Sequence, residues 1–224
     1  MRILLDQDQV ICCWLERLLE WWNEDKGTHF TREDVKDWAV TDTLGPGSED
    51  FIRSSMRYPE MYRDLEEVPG AIAGVEKLID DGHDVLIVTA VPKCAGIVYH
   101  GKLEWLRRKM RRRVMNKSSD VRERIGEPFF DLKNFIACQR KELISGDLLV
   151  DDGVHNLIPF KESGRMTVVF DAPWNRSYTG ATKRVHGWPD LLAFIDEVVR
   201  QTRASDEQRK SELNTKHVTY VKDD

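Results

Sequence analysis

Missing from this chain of 224 residues is any unbroken apolar run near the roughly 20 residues that cross a bilayer, so no membrane span is expected. Its first residues, MRILLD, enter an apolar strand directly. They lack the basic, apolar and small-residue succession of a secretory signal, which predicts a reducing, cytoplasmic setting. Cysteine is sparse. Cys12, Cys13, Cys94 and Cys138 have the spacing of neither a zinc module nor a small disulfide framework, and the adjacent pair reads as small core residues. His83, His155 and His186 are scattered without a paired-histidine spacing, which argues against an imidazole-based metal site. Excess charge of one sign is lacking too: 34 Lys and Arg face 39 Asp and Glu, for a net charge of −5. No stable nucleic-acid complex is expected from that balance. The basic run Arg107–Arg113 reads first as the solvated face of a helix, and only second as a polyanion site.

What is present suits an ordinary folded domain, with 41% hydrophobic and 33% charged residues. Four short apolar runs read as buried strands: Ile3–Leu5, Val85–Val88, Leu148–Val150 and Val168–Phe170. Runs without polar alternation indicate strands covered on both faces, as in a parallel sheet. Ala71–Asp81 carries apolar residues at helical spacing and stops at Gly82; further helices are expected over Gly101–Val114 and Pro189–Gln201. This alternation predicts an α/β doubly wound domain. The domain is expected to comprise residues 1–14 and 69–201, interrupted by a small, aromatic-rich helical insertion at 15–68. Residues 202–224 are charged and poor in apolar positions, and read as a flexible tail.

In open parallel sheets, ligands collect beyond the carboxyl ends of the strands. Those ends carry Asp6 and Asp8, Thr89, and the pair Asp151-Asp152. Four carboxylates converging there require a cation, and an all-oxygen set favours magnesium. The D-x-D spacing puts two acids on one side of an extended segment, where one can attack phosphorus while the other protonates a leaving oxygen. A lysine is wanted to neutralise the transferring group; Lys141, ten residues before Asp151, and Lys102 both qualify. Each motif alone has a plainer reading. Strand-end aspartates cap helices, Asp151-Asp152-Gly153 can be a turn, and Trp14, Trp21, Trp22 and Trp38 can all be core.

The order D-x-D-x-[TV], strand-end Thr, lysine and acidic pair resembles the haloacid dehalogenase superfamily. The segments VPGAIAGVEKL, IVTAVPK, RKELISGDLLVDD, FDAPWNR and RVHGW sharpen the resemblance to its 5′(3′)-deoxyribonucleotidases. It implies a three-layer Rossmann-like sandwich with a parallel sheet and a small helical cap. The implied activity is magnesium-dependent hydrolysis of nucleoside monophosphates. Asp6 would be the nucleophile and Asp8 the general acid. Magnesium would be held by Asp6, the backbone carbonyl of Asp8, Asp151 and Asp152, with Asp152 the likelier direct ligand of that pair by the family pattern. Phosphate would meet Thr89, Ala90, Lys102 and Lys141, and the base would lie against Trp14, Trp38 and Ala39. Homodimers are common among such proteins. The chain departs from the family pattern at Gln9, where glycine is usual, at Cys13, where an acid is frequent, and near Met56, where an aromatic is expected. Ala90 also removes a second hydroxyl beside Thr89. These departures leave open another phosphate monoester, such as a sugar phosphate or nucleic-acid end, as substrate. Transfer to an acceptor other than water and nucleotide binding without turnover also stay open.

Overall fold

A computed structural model describes residues 1–92, 96–113 and 125–220; Cys94 lies outside them. All four apolar runs form strands. In chain order these elements are β1 (Arg2–Leu5), β2 (Asp84–Thr89), the antiparallel pair β3 (Arg111–Arg113) and β4 (Ile125–Pro128), then β5 (Phe135–Ala137), β6 (Leu148–Asp151), β7 (Met166–Phe170) and β8 (Lys183–Val185). Six of them make one parallel sheet in the order β5-β2-β1-β6-β7-β8. Register is fixed across the centre, with Leu5 opposite Ile87 on one side and Val150 on the other.

Successive strand residues point to opposite faces, so one strand feeds two cores. Ile3, Leu5, Val85, Ile87, Val150 and Phe170 belong to a large cluster, whereas Leu4, Leu86, Val88, Leu149 and Val169 belong to a smaller one. The helices supply the outer layers. They are α1 (Trp14–Lys26), α2 (Val40–Leu44), α3 (Ser48–Ser55), α4 (Glu60–Arg63), α5 (Ala71–Asp80), α6 (Gly96–Lys109), α7 (Val154–Glu162) and α8 (Trp188–Tyr220). Leu157 and Phe160 of α7 close the smaller face. Ile72, Val75 and Leu78 of α5 join Trp188, Leu191 and Ile195 of α8 on the larger one. Gly74 permits that packing, because a Cβ there would fall 2.1 Å from the Trp188 ring. The result is the doubly wound α/β domain that the apolar runs predict, in the three layers that the resemblance implies.

The segment between β1 and α5 is helical, as its composition suggests, but it has no separate core. Leu15, Leu18, Leu19, Trp22, Met61, Tyr62 and Leu65 lie in the same cluster as Ile3, Leu5 and Trp105. Trp105 Nε1 donates to the Leu65 carbonyl at 2.9 Å.

One expectation needs correction. The helix expected to reach Val114 ends at Lys109, and the basic run turns into β3. Its arginines are engaged locally: Arg107 with Glu104, Arg108 with Asp64, and Arg112 with Glu76 and Asp80. Residues 202–220 of the charged tail continue α8. Ala, Glu, Gln, Arg and Lys dominate its beginning, all good helix formers, and spaced pairs such as Arg200–Glu197 and Gln201–Glu197 support the turn before it.

Candidate active site

The chain leaves β1 at Leu5, β2 at Thr89 and β6 at Asp151, and these three neighbouring ends bring the acids together. Asp6 is anchored by its own N–H, which donates to the Val150 carbonyl at 3.0 Å. Its Oδ1 accepts from the Gln7 N–H at 2.8 Å and faces Lys141 Nζ at 2.8 Å. Lys141 comes from a single 3₁₀ turn, Lys141–Leu143, and its side chain is wholly buried. It also donates to Asp151 Oδ2 at 2.7 Å. The other Asp151 oxygen accepts from the Gly153 N–H at 2.7 Å, and Asn156 Nδ2 reaches both oxygens. Asp152 Oδ2 accepts from Trp174 Nε1 at 3.0 Å, and its carbonyl accepts from Asn175 Nδ2 at 2.9 Å.

Carboxylate oxygens of Asp6, Asp151 and Asp152 lie within 4.8 Å of one another, all on buried residues. Burial pushes Asp151 up to about 6, with Lys141 opposing and Asp6 adding to the rise. Burial, then the charges of Asp151 and Asp6, hold Asp152 well above the usual carboxylate range. Burial alone would depress Lys141, but Asp151 and Asp6 outweigh it and keep the ammonium charged. Three acids against one buried lysine leave a negative hollow lined by oxygen. That donor set suits a hard divalent cation such as magnesium and offers no soft ligand.

A second lysine serves the other acid. Lys102, buried on α6, donates to Asp8 Oδ2 at 2.6 Å and to Thr89 Oγ1 at 2.7 Å. Gln7, between the two acids, holds the Lys102 carbonyl at 3.2 Å. The turn after Asp8 explains why glycine is usual at the next position. Gln9 has φ of +60°, in the left-handed region that disfavours a side chain, and it is buried. Its amide turns toward Glu16, donating to Oε2 at 2.9 Å.

Above these groups lies a cavity of about 430 Å³, whose wall includes Asp6, Asp8, Thr89, Ala90 and Asp152 together with Trp14, Trp38 and Ala39. The acids, lysines, Thr89, Ala90, Trp14, Trp38 and Ala39 expected from the sequence thus converge, with Lys102, Lys141 and Asp151 linked to the lining by hydrogen bonds. Met56 is packed against the main hydrophobic cluster instead of lining the cavity. Trp38 is 56% exposed at the rim, its ring 4.5 Å from that of His155. Partial burial, and then Lys141, hold His155 below its ordinary value, so its imidazole is neutral near pH 7. A larger hollow of about 940 Å³ by Met1, His83 and Arg203 is not the candidate, because it contains none of the acids at the carboxyl ends of the strands. Gln7, Asn156, Trp174 and Asn175 were not foreseen, whereas His155 follows the acidic pair in sequence and lies beside it. Only the segment FDAPWNR, noted for its resemblance, contained any signal for Trp174 and Asn175.

Solved structures of similar fold are found by comparison. A hydrolase from Pseudomonas syringae has a TM-score of 0.51 at 13% identity, covering 88% of this chain and 99% of that one. A haloacid dehalogenase-like hydrolase from Streptococcus pneumoniae has a TM-score of 0.51 at 11% identity, covering 87% and 97%. At these identities the likeness establishes the fold. In sequence, the 5′(3′)-deoxyribonucleotidase of Bacillus subtilis is 24% identical over 189 residues, 84% of this chain and 95% of that protein. Residues 1–202 match the family described as 5′ nucleotidase, deoxy (pyrimidine), cytosolic type C protein, and the chain belongs to that family of phosphoric monoester hydrolases.

Proposed function

We propose that this protein hydrolyses deoxyribonucleoside monophosphates with magnesium, through a phosphoryl group carried on Asp6. One observation carries the reading: buried Lys141 ties Asp6 to Asp151 while Asp152 completes a triad of buried oxygen donors beneath the cavity. Lys141 and the Gln7 N–H occupy Asp6 Oδ1, which leaves Oδ2 as the attacking atom. Asp6, Asp151, Asp152 and the Asp8 carbonyl would hold magnesium, Asp152 more directly than Asp151, whose oxygens are already taken. Bound there, the ion would supply positive charge against the phosphate and the acids.

Asp6 Oδ2 forms a bond to phosphorus as the ester bond breaks, and Asp8 gives its proton to the leaving oxygen, releasing the nucleoside. Asp8 then takes a proton from water, whose oxygen attacks phosphorus, freeing phosphate and restoring Asp6. Lys102 and Thr89 are already hydrogen-bonded to each other beside Asp8, so a phosphate entering there meets a cation and a hydroxyl held in place. The wall formed by Trp14, Trp38 and Ala39 suits a flat base, which stacking accepts without fixing its identity. The setting proposed for this chemistry is the cytoplasm; among the described residues no helix is long and apolar enough to cross a membrane.

The test is phosphate release from a panel of deoxyribo- and ribonucleoside monophosphates. Release should require magnesium, cease in EDTA and be lost in Asp6→Asn. A folded protein releasing phosphate from no nucleotide would refute the nucleotidase reading.

A further inference from the structure

Trp174 lies 22 residues beyond Asp152, on the 3₁₀ turn Pro173–Asn175 that follows β7. Two consecutive residues of this turn grip Asp152 by different atoms. Trp174 Nε1 donates to Oδ2, and Asn175 Nδ2 donates to the backbone carbonyl. The turn is itself fixed. Asn175 Nδ2 also reaches the Phe170 carbonyl at 2.8 Å, its Oδ1 accepts from Arg184 at 2.8 Å, and Arg184 is ion-paired with Asp171 at 2.7 Å. Above the indole, the Arg32 guanidinium sits 5.5 Å from the ring centroid and donates to the Asp171 carbonyl. Though the half-buried indole also faces the cavity, the fixed turn and Arg32 hold its N–H on Asp152.

A carboxylate with one oxygen engaged by a fixed donor presents its other oxygen to a cation. We infer that Trp174 is a positioning residue for the metal site: its N–H occupies Asp152 Oδ2 and restricts Asp152 to binding a cation through Oδ1 alone. The inference rests on the magnesium reading proposed above and extends it to ion selection. Magnesium requires near-octahedral geometry and favours single-oxygen carboxylate ligation, whereas calcium accepts both oxygens of one carboxylate. Releasing Oδ2 therefore penalises the smaller ion and not the larger.

The experiment is calorimetric titration of substrate-free native protein and Trp174→Phe with magnesium and, separately, calcium. Phenylalanine keeps an aromatic ring beneath Arg32 and deletes the donor. Magnesium affinity should fall about tenfold, in the range found when groups supporting metal ligands are removed. Calcium affinity should fall by less than twofold or rise, so that the magnesium-to-calcium ratio drops about tenfold. Equal losses for both ions, or no loss of magnesium affinity, would overturn the inference. Pro173→Ala, which loosens the same turn but keeps the indole, should retain the native ratio; the same change of ratio there would assign selectivity to the turn's packing and overturn the role of the N–H. A native protein that binds no magnesium would instead remove the functional reading, and this inference with it.

Discussion

Replacing Lys141 by methionine keeps an unbranched side chain one atom shorter and removes the ammonium, with both its charge and its hydrogen bonds. The ammonium is the shared partner of Asp6 at 2.8 Å and Asp151 at 2.7 Å, in a place with no solvent exposure. Breaking a buried pair by removing one partner costs about 3–5 kcal/mol, because the other charge is left uncompensated. Here two carboxylates lose the same cation, so the upper part of that range is expected in EDTA at pH 8. Against a domain stability of roughly 5–15 kcal/mol this is a large fraction. The loss must depend on pH. Burial already holds Asp151 at about 6 in the native state, above the ordinary carboxylate value, with Lys141 pulling it down. An acid whose folded pKa is raised binds more protons in the native state, so its effect is absent below the unfolded value and destabilises as pH rises through the folded one. Without Lys141 that pKa rises further, and at pH 5 the proton substitutes for the missing cation. Urea unfolding in EDTA should thus show a deficit that is large at pH 8 and clearly smaller at pH 5. Equal midpoints for native and variant protein at pH 8, or a deficit independent of pH, would refute the reasoning.

Magnesium at a hundred times its dissociation constant should stabilise the protein by about 2.7 kcal/mol. Its affinity should be weaker at pH 5 than at pH 8, because the raised Asp151 and Asp152 must be ionised to bind; thermal melts at both pH values would check this. Gln9→Gly should be more stable than Gln9→Ala by about 1 kcal/mol, since both lose the contact with Glu16 and only glycine relieves the left-handed backbone; denaturant midpoints in the reverse order would reject the strain. Gly74→Ala should lower stability by roughly 1–3 kcal/mol through collision with the Trp188 ring, visible as a reduced unfolding midpoint.

The central strands were legible because a strand buried on both faces must be written as a continuous apolar run, as in VLIV and LLV. The edge strands β5 and β8 were not, being only three residues long and, in β8, partly polar, so that only their neighbours' register reveals them. The meeting of the acids was legible because they follow apolar runs, and the carboxyl ends of neighbouring parallel strands lie together. Their supports were not: Trp174 and Asn175 reach Asp152 across more than 20 residues, through hydrogen bonds that leave no periodicity. The basic run misled for a similar reason. Its partners Asp64, Glu76 and Asp80 lie more than 30 residues earlier, and nothing local marks the turn after Lys109. Gln9 was noticed as a departure, yet only its backbone angle shows what the departure costs.

The single core shared by the insertion and the sheet has a consequence for how substrate preference can change through evolution. Leu18, Trp22, Met61 and Tyr62 cannot be exchanged as a block for another helical module without unpacking Ile3, Leu5 and Trp105. The exposed stretch from Lys36 to Ala39 is different. Trp38 and Ala39 are exposed there, and flanking Val35, Val40 and Thr41 also reach the cavity. Descendants of this sequence can therefore acquire new substrates most readily by point substitution along that lip, while the machinery beneath is inherited unchanged.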